Sequence, residues 1–232
     1  MSNDFLMIRR AVPLLLLALL TTGCEALQSA TTATQPPPAP PAQPGAPVPG
    51  AGALGQQLAA LQVAPEDTGA HYDRDDWLPD WARTGQCTTR ETVLQQQGQG
   101  VVVNDKCAPT AGQWVSRYDG VTVTDPSDLD IDHVVPLAEV ARSGPIVDGR
   151  RQRPGDWPVE QRRAYANDVE GLVAVTASSN RSKSDDDPAR WLPAQDHCGY
   201  VASWIHMKTK YHLSIDQQEH DAIAQILTTC PA

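Results

Sequence analysis

The chain has 232 residues, a formal net charge of −10, and an aromatic content of six Trp, five Tyr and one Phe. That length allows one domain of ordinary size plus extensions, and the acid balance argues against a protein that coats nucleic acid through a globally basic surface. Nearly all the aromatic residues lie after position 70, so the hydrophobic core is expected there.

Residues 1–24 read as an export signal. Arg9 and Arg10 form a positive start, and the apolar run Ala11 to Leu20 is too short to cross a bilayer as a stable helix. The run ends in Thr21-Thr22-Gly23-Cys24, which resembles a bacterial lipoprotein signal with Cys24 as the lipid-bearing residue. Thr21 departs from the branched apolar residue usual there, and a plain secretory signal is the competing reading. Residues 25–70, dominated from Gln35 to Gly55 by Pro, Ala, Gly and Gln, are expected to be a disordered tether, with a short helix over Leu54 to Val63. The expected location is exported: an envelope lipoprotein held to the membrane through Cys24, or a secreted protein.

The folded domain is expected over residues 71–232. Thr88 to Gln97 reads as a helix, with Thr88 or Thr89 as cap, Glu91 in the first turn and Gly98 as stop. Val101 to Val103 is a strand. Gln113 to Tyr118 and Val121 to Thr124 flank Asp119-Gly120 as a hairpin. Leu129 to His133 is a strand, Leu137 to Arg142 a helix, and Arg150 to Pro158 a polar loop. A helix over Val159 to Asn167, a strand over Leu172 to Val175, a helix-compatible polar stretch from Ser179, and helices over Cys198 to Lys210 and Asp216 to Leu227 complete an α+β domain.

Setting Cys24 aside leaves Cys87, Cys107, Cys198 and Cys230. In an oxidising compartment an even count implies two disulfides. Three pairings are possible, and proximity favours Cys87–Cys107 with Cys198–Cys230. A zinc site is disfavoured because no two cysteines stand at CxxC spacing.

Two segments carry chemistry. In Asp130-Ile131-Asp132-His133 the carboxylates alternate onto one strand face, and the turn after the strand is expected to let Asp132 and His133 reach one cleft. A carboxylate can hold a hard divalent cation, and an imidazole can take a proton from water near neutral pH. In Ser179-Asn180-Arg181-Ser182-Lys183, Asn180 offers an oxygen ligand and Lys183, three residues on, shares its helix face. Asp185-Asp186-Asp187 is read as a solvated loop rather than a Ca²⁺ site.

Asp-His-Val-Val-Pro-Leu followed by Ser-Asn-Arg-Ser-Lys-Ser-Asp resembles the ββα-metal (His-Me finger) site of HNH nucleases, including the HNH domain of RNA-guided CRISPR nucleases. It is more similar still to secreted actinobacterial HNH-family proteins of the GmrSD C-terminal-like group. Tyr72 to Arg74, Trp77 to Trp81, Cys87 to Arg90, Gly112 to Trp114 and Asp187 to Pro193 match further short motifs of that group. The resemblance implies an ββα-metal core with additional N-terminal strands and C-terminal helices. It makes His133 the general base, Asp132 and Asn180 ligands of Mg²⁺ or Mn²⁺, and Lys183 a contact to phosphate. Asp130, Glu139 and Asn167 are possible supports, Asn167 in place of the Asn that often precedes the second strand, where this chain has Gly171. Arg151, Arg153, Arg163 and Arg181 are candidate nucleic-acid contacts. The implied activity is hydrolysis of nucleic acid, DNA with little sequence preference, by a monomer. The alternative is an envelope-binding lipoprotein that kept the fold and lost catalysis.

Overall fold

A computed structural model describes residues 50–231. The export signal, Cys24 and most of the expected tether lie outside the described residues. None of the described helices is long and apolar enough to cross a membrane.

Helix α1 (Ala51–Ala60) comes first. It seats Leu54 and Leu58 in the main core, against the two C-terminal helices. The folded part therefore takes in α1, which lies before the boundary expected at residue 71. A short helix was expected from Leu54 to Val63 but as part of the tether; Leu54 and Leu58, four apart, share one helix face and join it to the core. Ala64 continues the attachment, donating its N–H to Ile215 O at 2.9 Å.

The single turn α2 (Arg74–Trp77), capped by Asp73, leads through the hairpin β1 (Arg83–Thr84) and β2 (Cys87–Thr88) into α3 (Thr89–Gln97). Thr88 and Glu91 close a reciprocal capping box at the start of α3. Strands β3 (Gln99–Val103), β4 (Pro109–Val115) and β5 (Thr122–Val123) form an antiparallel meander. Gly120, at φ 71°, supplies the positive dihedral that the hairpin turn needs.

Strand β6 (Leu129–His133) is followed by α4 (Leu137–Arg142), which starts directly after Pro136. The stretch expected as a polar loop instead opens with β8 (Arg150–Arg151), paired to β7 (Ile146–Val147) across a turn in which Asp148 and Gly149 take φ of 50° and 70°. Asp-Gly between apolar and polar pairs is hairpin chemistry. Helix α5 (Val159–Ala166), strand β9 (Leu172–Thr176), α6 (Ala177–Lys183), α7 (His197–Lys210) and α8 (Gln217–Leu227) follow.

The centre of the domain is the antiparallel ribbon of β6 and β9, running from Leu129 opposite Thr176 to His133 opposite Leu172, with α6 continuing from β9. Both faces of this ribbon are covered. Leu129, Ile131, Leu172 and Ala174 pack with Val93 and Leu94 of α3 and Trp114 of β4. Val173 and Val175 face the larger core built from α1, α4, α5, α7 and α8. Burial on both sides explains why β9 reads Leu-Val-Ala-Val, without alternation. Disulfides join Cys87 to Cys107 and Cys198 to Cys230, the pairing that proximity favoured. The second ties α7 to the chain beyond α8.

Candidate active site

Asp130 and Asp132 leave β6 on the side where α6 packs, and each meets one residue of that helix. Asn180 Nδ2 donates to Asp130 Oδ2 at 2.9 Å. Lys183 Nζ lies 2.9 Å from Asp132 Oδ2 and donates to Asp132 Oδ1 at 3.1 Å and to His133 O at 2.9 Å. The 3-residue spacing on the helix thus matches the 2-residue spacing on the strand. Tyr118, just before the Asp119-Gly120 turn, donates its hydroxyl to Asp132 Oδ2 at 2.6 Å. Its ring is wedged against Trp191 and Tyr200. Burial pushes the Asp132 carboxyl up, against the opposing pull of Lys183 and Tyr118.

Lys183 was expected at phosphate. Instead it is fully buried, with its ammonium committed to Asp132 and the backbone of His133. A group so enclosed meets no phosphate; it fixes the end of β6. Nor do Asp132 and His133 project into one cleft. Strand alternation persists to the last residue, and His133 turns to the other side of the ribbon.

There the imidazole stacks on Trp81, with ring centroids 5.9 Å apart and planes 11° from parallel. Its Nε2 lies 2.8 Å from Ala166 O. A carbonyl only accepts, so Nε2 carries the proton and Nδ1 holds the free lone pair. Burial lowers the pKa of His133 to about 4, with the positive charges of Arg74 and Lys183 acting in the same direction. The ring is therefore neutral and held in one tautomer at neutral pH.

The loop after His133 is braced by backbone and phenol rather than by an asparagine. Val134 N–H donates to Gly171 O at 2.9 Å, and Tyr165 hydroxyl donates to Val135 O at 2.9 Å. Asn167 is not in that brace. Its Oδ1 accepts from Ala82 N–H at 2.8 Å, which ties down the residue next to Trp81 and so acts on His133 through the stacked indole.

Glu139 sits elsewhere. It is fully buried, accepts from Lys208 Nζ at 2.7 Å and Ser143 Oγ, and pairs with Arg142. Lys208 also reaches Glu219 at 3.0 Å. This places Glu139 in an ionic cluster inside the helical core. Of the four candidate nucleic-acid arginines, Arg151 is spent on Gly144 O and Arg153 on Asp67. Arg163 and Arg181 are exposed.

The donor chemistry of the α6 face suits a hard divalent cation: two carboxylates and a carboxamide, all oxygen ligands. Asp130 and Asn180 are already in contact and only half-buried. A carboxylate offers about four lone-pair positions, and Asp132 commits three of them to Lys183 and Tyr118. Sequence reasoning missed Trp81, Tyr118 and Lys208. Trp81 lies in a short motif and Tyr118 at the end of a hairpin strand, and nothing local in the sequence says which polar group each one meets.

Residues 103–226 match the family model described as GmrSD restriction endonucleases, C-terminal domain. An uncharacterized secreted protein of Arthroderma benhamiae is 39% identical over 188 residues, covering 79% of this chain and 87% of that protein. No solved structure matches.

Proposed function

The chain belongs to the family of GmrSD restriction endonuclease C-terminal domains, and from that premise we propose that it is an exported, metal-dependent HNH-type nuclease in which His133 activates water. The family supports a nuclease, and the secreted relative together with two disulfides supports export. The observation that carries the finer reading is the state of His133: neutral, held in a single tautomer by Ala166 O, and clamped by Trp81. A free Nδ1 lone pair on a neutral ring oriented by its other nitrogen is what a general base requires.

Mg²⁺ or Mn²⁺ would be held by Asp132 and Asn180, with Asp130 as a further carboxylate, and would supply charge stabilisation at the scissile phosphate. Lys183 and Tyr118 orient Asp132, while Lys183 also fixes the carbonyl of His133. Trp81 excludes water from one face of the imidazole. Arg163 and Arg181 are the exposed candidates for phosphate contact. DNA, cut with little sequence preference by a monomer, is the proposed substrate. Lipid anchoring at Cys24 remains part of the proposal and is tested by mass spectrometry of the exported protein.

Purified protein incubated with plasmid and Mg²⁺ or Mn²⁺ should nick it, and EDTA should stop the reaction. His133→Ala should lower the rate about 10²- to 10⁴-fold. Equal cutting by the variant would remove His133 from the mechanism. No cutting by the wild type with any divalent metal would favour the second reading, an envelope-binding module with the fold but no catalysis. Two observations stand on that side: Lys183 engages Asp132, and His133 leaves β6 on the face opposite Asp132.

A further inference from the structure

Beyond the ribbon, three carboxylates converge from distant parts of the chain. Ligand oxygens of Glu66, Asp187 and Asp216 all lie within 4.8 Å of one another. Glu66 belongs to the segment between α1 and α2. Asp187 lies four residues past α6, and Asp216 caps α8. Asp187 is not the solvated loop residue its acidic run suggested: it is 2% exposed.

Proximity alone would be unremarkable in an acidic protein, but these groups are also undercompensated. The one hydrogen bond to the Asp187 side chain among the described residues comes from Ala189 N–H to Oδ1, leaving Oδ2 without a donor. Oε1 of Glu66 is buried with no donor among the described residues, and the carboxyl of Glu139 lies beside the same side chain. The nearby cations are already shared. Arg142 pairs with Glu66 Oε2 at 3.4 Å, with Glu139 and with Asp185. Lys208 pairs with Glu139 and Glu219. No Lys or Arg pairs with Asp187 or Asp216 among the described residues. A buried carboxylate oxygen without a donor, as Glu66 Oε1 is, is costly even beside a shared counter-charge, and a cation is a group that satisfies it.

We infer that Glu66, Asp187 and Asp216 form a structural site for a hard divalent cation of the size of Ca²⁺, separate from the proposed catalytic centre. Ca²⁺ binds oxygens at about 2.3–2.6 Å, so ligands on opposite sides of the ion stand roughly 4.8 Å apart, and the three oxygens already fit within that sphere. Asp216 can take part without giving up its capping role, because Oδ1 alone accepts from Gln218 and Glu219 N–H. The ion would pin the N-terminal segment and the loop after α6 to the start of α8. A proton does part of the same work in its absence: burial and the neighbouring Glu139 push Glu66 up to about 7.

The test compares melting temperatures of purified protein stripped with EDTA and then given CaCl₂ in excess. The site predicts a rise of about 5–10 °C when calcium is near 100 times its dissociation constant, with calorimetric titration giving one ion per chain. Asp187→Asn keeps the bond to Ala189 and removes the charge. It should melt at or above wild type in EDTA, and wild type should overtake it in calcium. Glu66→Gln should behave in the same way. Asp130→Ala with Asn180→Ala should leave the calcium response intact. Absence of any shift in wild type overturns the inference. So does loss of the shift in the Asp130/Asn180 variant, which would locate the ion at the nuclease site. These outcomes do not depend on whether the protein cuts DNA.

Discussion

His133 has a normal pKa near 6.5 in an unfolded chain and about 4 here, because burial opposes its charge. In the folded state it therefore binds its proton later than in the unfolded state. Its contribution to stability is complete above pH 6.5 and is lost as the pH falls toward 4, a swing of about 3 kcal/mol. In the proposed nuclease mechanism the same depression would set the catalytic behaviour. The acid limb of kcat/KM should lie well below pH 6, since the base stays unprotonated there. Trp81→Leu, which opens one face of the ring, should move that limb upward and lower kcat more than it changes KM. A limb at pH 6.5 in the wild type would show a hydrated imidazole and refute the enclosed geometry.

At the scale of elements, the site depends on one register. Asp130 and Asp132, two apart on β6, meet Asn180 and Lys183, three apart on α6, because one turn of helix and two residues of strand have similar lengths. Helix α3 covers the opposite face of the ribbon. Its Gln97 reaches over to β9, donating from Nε2 to Leu172 O at 2.9 Å and accepting from Ala174 N–H at 2.9 Å. Thr88→Ala removes half of the capping box of α3 and should cost about 1 kcal/mol in denaturant unfolding, with little effect on any metal bound at α6. Both ends of α3 were legible in the sequence, the start from Thr88 and Glu91 and the stop from Gly98. Its partner was not, since Gln97 and β9 lie 75 residues apart.

For the whole molecule, the Pro-rich segment and the domain meet earlier than composition suggests. Leu54 and Leu58 are core residues of the domain that contains Trp204, Ile205 and Ile223. Leu54→Ala should destabilise by about 2–5 kcal/mol, whereas a true tether residue would cost nothing. Melting temperature and protease susceptibility both read this difference. The C-terminal helices are held from two sides. The Cys198–Cys230 bridge closes one end, and Lys208 binds Glu139, Glu219 and Ser143 in the interior. Lys208 sits among Trp204, Ile205 and Met207 in α7 and breaks the apolar pattern there. Such an interruption signals a buried partner without naming it.

The sequence by itself determined the local order: caps, turns, the β6 strand, the paired cysteines and the family motifs around His133 and Asn180. Each of these rests on neighbours within a few residues, or on a motif whose spacing is itself the message. Only the tertiary structure decided which polar groups meet. It sent Lys183 to Asp132 instead of to solvent, turned His133 away from Asp132 and onto Trp81, and drew Asp187 into the interior beside Glu66 and Asp216. Burial and counter-charge are set by segments far apart in the chain, so they become definite only once those segments pack.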